Sequence, residues 1–142
     1  MPQFNMGSPL DFYTVVVRPL YEEFVSNNGN IAKAVATITM AYHLYEWANN
    51  GQKFNEKRFK ERYKNHAHLA AQFQIARQVA NGVKHNLSNI STRSQAGFSS
   101  AFSEAFAKPL VIQDINGSKV SVDKLLKDIM DFWDEQNKME WR

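Results

Sequence analysis

The 142-residue chain has no cysteine. Disulfides, thiolate zinc sites and a cysteine nucleophile are therefore all excluded, and a reducing compartment fits. Its first ten residues, MPQFNMGSPL, have no basic stretch followed by an apolar core, so no secretory leader is expected and the expected location is cytoplasmic. No long apolar run is uninterrupted. The richest, IAKAVATITMAYHLYEWA at 31–48, is broken by Lys33, His43 and Glu46 and has a helical period. It reads as a core helix, and no membrane span is expected. Motifs with a fixed chemistry are also missing: no phosphate-binding glycine loop, nucleophile elbow, HExxH or dinucleotide fingerprint. Nothing in the sequence asks for a cofactor. His66 and His68 are spaced to share a metal, but no carboxylate lies near them in sequence, so no metal site is expected.

What is present fits one domain spanning residues 1–142. Hydrophobic residues make up 44% of the chain, enough to build a core. The pattern predicts a mainly α protein: a bundle of four to five helices with one short β-hairpin before the C-terminal helix. Ser8, Pro9 and Asp11 form a helix start, and Leu10, Thr14, Val17, Tyr21 and Phe24 follow at helical spacing. Pro19 predicts a kink or break near residues 16–18. Asn30 is placed to cap a second helix with Ile31, Val35, Ile38, Tyr42 and Tyr45 on its stripe. A short third helix starts near Asn55 and carries Phe59 and Tyr63. A fourth is expected over residues 67–87, with Leu69, Phe73, Ala76 and Ala80 on one arc and Gln74, Arg77 and Asn81 on the other.

Residues 88–108, rich in serine and carrying Phe98, Phe102 and Phe106, read as a mobile loop or a short helix. Asn116-Gly117 between β-branched runs then predicts a two-residue hairpin turn, pairing Asp114 with Lys119 and Val111 with Val122. Ser121 is placed to cap the last helix, whose stripe is Leu125, Ile129, Phe132 and Trp133.

Charge is unevenly spread. Residues 53–85 hold eight Lys/Arg (53, 57, 58, 60, 62, 64, 77 and 84) against Glu56 and Glu61, a net +6, leaving −3 for the rest of a chain whose formal charge is +3. Such a split suits an anionic partner such as RNA, or a second copy of the chain as a homodimer. Lys57, Arg58, Lys60, Arg62, Lys64 and Lys84 are the candidate nucleic-acid contacts. Phe54, Phe59 and Tyr63 interleave with them, and there are two ways to read these rings: as stacking platforms for bases, or as the inner face of an ordinary surface helix. Arg77, Asn81 and His85, in the string ARQVANGVKHN, are the candidate catalytic set. An arginine on a phosphate beside a proton-transferring histidine is the minimum equipment for RNA cleavage, while the plainer reading is the solvated face of an amphipathic helix.

ARQVANGVKHN, GFSSAFSEAF and a last helix ending DIMDFWDEQ together resemble a family of small helical bacterial and phage proteins. These have an AN-x-x-KH helix in mid-chain and an FW pair near the C-terminus, and no established activity. A more distant resemblance is to the HEPN superfamily, helical bundles that are often dimeric, many of them metal-independent RNases in toxin and antiviral systems. That resemblance implies an arginine and a histidine at the site with four to six residues between them. Here Arg77 and His85 have seven between them, and Gln78 stands where Asn, Asp or His is usual. The expected function is a non-enzymatic module binding nucleic acid or protein, in a phage, prophage or defence setting. The alternatives are a metal-independent endoribonuclease and a structural or assembly protein.

Overall fold

The computed structural model describes residues 6–84, 90–92, 110–113 and 119–141. Among these it is a mainly α bundle with a short antiparallel sheet set before the last helix. The helical elements are α1 (Pro9–Phe12), a π turn (Tyr13–Val17), α2 (Arg18–Ser26), α3 (Ile31–Ala48), α4 (Glu56–Arg62), a 3₁₀ segment (Lys64–Leu69), α5 (Ala70–Lys84) and α6 (Val122–Lys138). The strands are β1 (Ile90–Thr92), β2 (Leu110–Gln113) and β3 (Lys119–Ser121). No described helix is long and apolar enough to cross a membrane.

Local chemistry sets the helix starts. The side chains of Ser8, Asn30, Asn55 and Ser121 each accept from the backbone N–H three residues on, satisfying donors that a first turn leaves open. The ends of α3 and α6 close the same way as each other. Asn50 and Glu140 take left-handed backbone angles (φ 57° and 56°), and the next N–H reaches back to the carbonyl of Glu46 (2.6 Å) and of Gln136 (2.9 Å).

Pro19 acts upstream of itself. The ladder widens to a π turn over Tyr13–Val17, and Arg18 N–H donates to the Tyr13 carbonyl, five residues back. The extra residue held in that turn re-phases the helix. Phe12 and Tyr13 are buried, whereas the expected stripe members Leu10 and Thr14 face solvent. On α3, Ile38, Tyr42 and Tyr45 are buried as expected, while Ile31 in the first turn is exposed. The fourth helix also begins later than its pattern implied: residues 67–69 belong to the 3₁₀ segment, where His66 has a non-helical backbone.

The sheet order is β1-β2-β3, both pairs antiparallel. The hairpin before the last helix is present as β2 and β3, but one residue out of the expected register: Val111 faces Ser121, Ile112 faces Val120 and Gln113 faces Lys119. The expected Asp114–Lys119 and Val111–Val122 pairs are therefore not made. Packing explains the slip. Alternation puts Leu110 and Ile112 on the core face, fully buried, and this register sets Val120 opposite Ile112 where the expected one would have set Ser121. Val122 is left to start α6, also fully buried. Within the serine-rich 88–108 segment, Ile90–Thr92 is neither loop nor helix but a third strand on β2. Phe98, Phe102 and Phe106 lie outside the described residues, as do Asn116 and Gly117.

The core is aromatic. Phe73 of α5 lies within 6.2 Å, centroid to centroid, of Tyr45, Phe54, Phe59, Phe132 and Trp133. Trp133 is fully buried, and its indole N–H donates to the Ala41 carbonyl (3.1 Å), tying α6 to α3.

Candidate functional site

The expected catalytic set starts from α5. Its apolar arc, Phe73, Ala76 and Val79, is fully buried. This leaves Arg77 partly buried and Asn81 exposed, one turn apart on an unbroken helix. Lys84 ends that helix, and His85 lies outside the described residues. What the fold sets beside Arg77 is the edge of α3. The Tyr42 hydroxyl accepts from Phe54 N–H (3.1 Å). Burial raises the pKa of this phenol, Glu46 adds to the rise, and the Arg77 cation works against it. Arg77 and Glu46 thus act on one buried hydroxyl.

Glu46 also lines a cleft of ≈ 480 Å³, with Phe12, Met40, His43, Trp47 and Gly51. Trp47 stacks on Phe12 with ring centroids 5.1 Å apart and planes 13° apart, yet keeps 36% of its surface exposed. The His43 Nδ1 lies 3.9 Å from the Glu46 carboxylate. The cleft therefore combines an aromatic wall, an imidazole and an acid. In the sequence His43 and Glu46 stood out only as interruptions of an apolar run. Their partner Phe12 lies more than thirty positions earlier and was turned inward by the π turn.

The basic segment divides into two parts. Lys57, Arg58, Lys60, Arg62 and Lys64 are exposed. Lys60 pairs with Glu56 (2.8 Å), while Lys57, Arg58 and Lys64 make no ion pair among the described residues. Arg62 serves the fold: its guanidinium donates to the Ala48 carbonyl (2.8 Å) and to Asn49 Oδ1 (2.6 Å), and lies over the Tyr63 ring. It closes the end of α3. Phe54, Phe59 and Tyr63 are all buried in the aromatic core, so the reading in which they stack on bases does not hold. They fasten α4 to the molecule and turn its cations outward.

His66 Nε2 is hydrogen-bonded to the Glu135 carboxylate (2.7 Å), and the ring sits edge-on to Phe132, while His68 is exposed. Among the described residues no three His, Asp or Glu side chains converge on a point where a metal could sit. A second polar cluster, absent from the sequence-based expectations, joins the π turn to α6. Tyr13 donates to Asp134, and Arg18 donates to both the Tyr13 hydroxyl (2.7 Å) and Asp134 (3.0 Å). It borders a smaller cleft of ≈ 280 Å³, with Tyr21, Glu22, Val25 and Met130. Two carboxylates on one guanidinium leave that cleft unsuited to an anion. Most acids of α6 are matched in the same manner: Asp128 by Lys124, Asp131 by Lys127 and Glu135 by His66. No family model, no curated protein and no solved structure matches this chain.

Proposed function

We propose that the protein is a non-enzymatic helical module that binds single-stranded nucleic acid along α4. One observation carries the reading: the aromatic residues of residues 54–63 are buried, while the cations between them are exposed and largely without acid partners. A cation held on a rigid helix with no carboxylate against it exchanges its counterions for phosphates readily, and each exchange makes binding steeply salt-dependent. α6 is different, because two of its three lysines, Lys124 and Lys127, are paired with its own acids. A phage, prophage or defence setting and a homodimeric state fit the same reading. The test is retention of short RNA and DNA strands at low and rising salt. Salt-sensitive binding is expected. No binding to RNA, DNA or another polyanion at low salt overturns the proposal.

A second reading, metal-independent RNA cleavage, draws on the placement of Arg77 and Asn81 one turn apart on an unbroken α5. In this reading Arg77 holds the scissile phosphate, His85 transfers the proton and Asn81 orients it. Cleavage of a mixed RNA pool in EDTA by the native chain but not by His85→Ala is the expected result. Equal cleavage by both, or by neither, removes it.

A further inference from the structure

The strand proposed to run along α4 has a second place to make contact, and this inference rests on that reading. We infer that the cleft between α1 and α3 receives one unpaired, amino-bearing base of the bound strand, stacked on Trp47 with its exocyclic amine donating to Glu46.

Volume comes first. At ≈ 480 Å³ the cleft lies within the range of about 300–1,000 Å³ typical of small-ligand sites. Charge decides which part of a nucleotide enters. Glu46 is partly buried in the cleft wall, and a carboxylate there repels a phosphate. It accepts well from the amine of cytosine, adenine or guanine, whereas uracil offers no such amine. The aromatic wall supplies the rest. Trp47 is one of few large apolar side chains left exposed among the described residues, and a flat base extends the stack that Phe12 and Trp47 already form.

Continuity with the cationic segment ties the two contacts together. Gly51 both lines the cleft and lies in the connection from α3 into α4. Lys53 follows two residues later, at most about 7 Å of extended chain away. Lys57 and Arg58 lie in the first turn of α4. A strand with one base in the cleft therefore has cations for its phosphates immediately alongside.

The experiment uses the full chain with short oligo(C) and oligo(U) RNAs at low salt. Tryptophan emission is compared between the native protein and Trp47→Phe, because Trp47 is exposed while the fully buried Trp133 and the partly buried Trp141 are common to both proteins, so the difference isolates Trp47. Binding should quench the emission assigned to Trp47. Trp47→Ala should weaken oligo(C) by about tenfold with the salt slope unchanged, as expected for loss of one base stack, while Trp47→Phe retains most of the affinity. The native chain should prefer oligo(C), and Glu46→Met should remove that preference. Thermal melts of each variant separate loss of contact from loss of fold, and Trp47→Phe keeps the test open if Trp47→Ala does not fold. If salt-sensitive binding occurs with no response from Trp47, the cleft is not a base site, while the α4 reading stands. Equal affinity for oligo(C) and oligo(U) in the native chain overturns the Glu46 contact. Absence of all binding removes both proposals.

Discussion

All five tyrosines of the chain, at 13, 21, 42, 45 and 63, have hydroxyls that hold their protons more tightly than a free phenol, and in each the largest cause is burial. A group whose pKa is raised by folding contributes stability that is intact below its unfolded value, near 10 for tyrosine, and is lost as pH climbs through the folded value. Resistance to urea is therefore expected to hold up to about pH 9 and to fall steeply beyond about pH 10. The phenolate absorbance should appear together with unfolding; five phenols titrating normally in a folded chain would contradict the arrangement. Tyr13 permits a finer comparison. Asp134→Ala leaves its buried hydroxyl with Arg18 alone and should cost about 1–3 kcal/mol. Tyr13→Phe leaves the half-exposed Arg18–Asp134 pair intact and should cost less, about 1 kcal/mol. Urea melts of the two variants would show that order.

Among the elements, starts were legible in the sequence and phases were not. Ser8, Asn30 and Ser121 cap as their positions suggested, and Asn55, read only as the place where a helix starts, caps as well, because a cap depends only on the next three residues. Pro19 announced a missing donor without saying how the chain would absorb it, so the π turn and the buried Phe12 and Tyr13 were hidden. The Asn116-Gly117 pair suggested the tightest turn, but register was decided by Ile112 and Val120 meeting over the core, a contact that turn chemistry does not report. Two measurements address this scale. Asn30→Ala should lower stability by about 1 kcal/mol, since it opens the first turn of α3. Glu140→Gly should raise it by about 1 kcal/mol, because a left-handed backbone is costly for a residue with a Cβ. Equal melting temperatures for native and Glu140→Gly proteins would mean that position is relaxed in solution.

For the whole molecule, the aromatic cluster around Phe73 is the joint on which α3, α4, α5 and α6 meet. Phe59 is fully buried at its centre, against Tyr45, Phe54, Tyr63, Phe73 and Phe132. Phe59→Ala should destabilise by about 3–5 kcal/mol and loosen the cationic helix along with the core. Replacing Lys57, Arg58 and Lys64 by Gln should instead leave the melting temperature nearly unchanged. It should also flatten the salt dependence of strand binding by about 0.7 per lost phosphate contact. A triple variant with the native slope would place the contacts elsewhere. The exposure of these cations could be read from the sequence, because the alternation of Phe59 and Tyr63 with charge fixes which side of a short helix faces in. The cleft could not, since its walls come from α1 and α3 and meet only after the helix has turned at Tyr13–Val17.

That wide turn has a bearing on which chain lengths the fold tolerates. Five residues there occupy a stretch that an ordinary α ladder would fill with one fewer. Forcing the stretch into α geometry at full length would rotate everything ahead of it by about 100° and carry Phe12 off the face of Trp47. Excising the solvent-facing Thr14 while the helix straightens would cancel that rotation and leave the two rings in register. The bulge therefore works as a spacer: insertions and deletions at this point should survive or fail by angular phase, largely irrespective of which side chain is gained or lost.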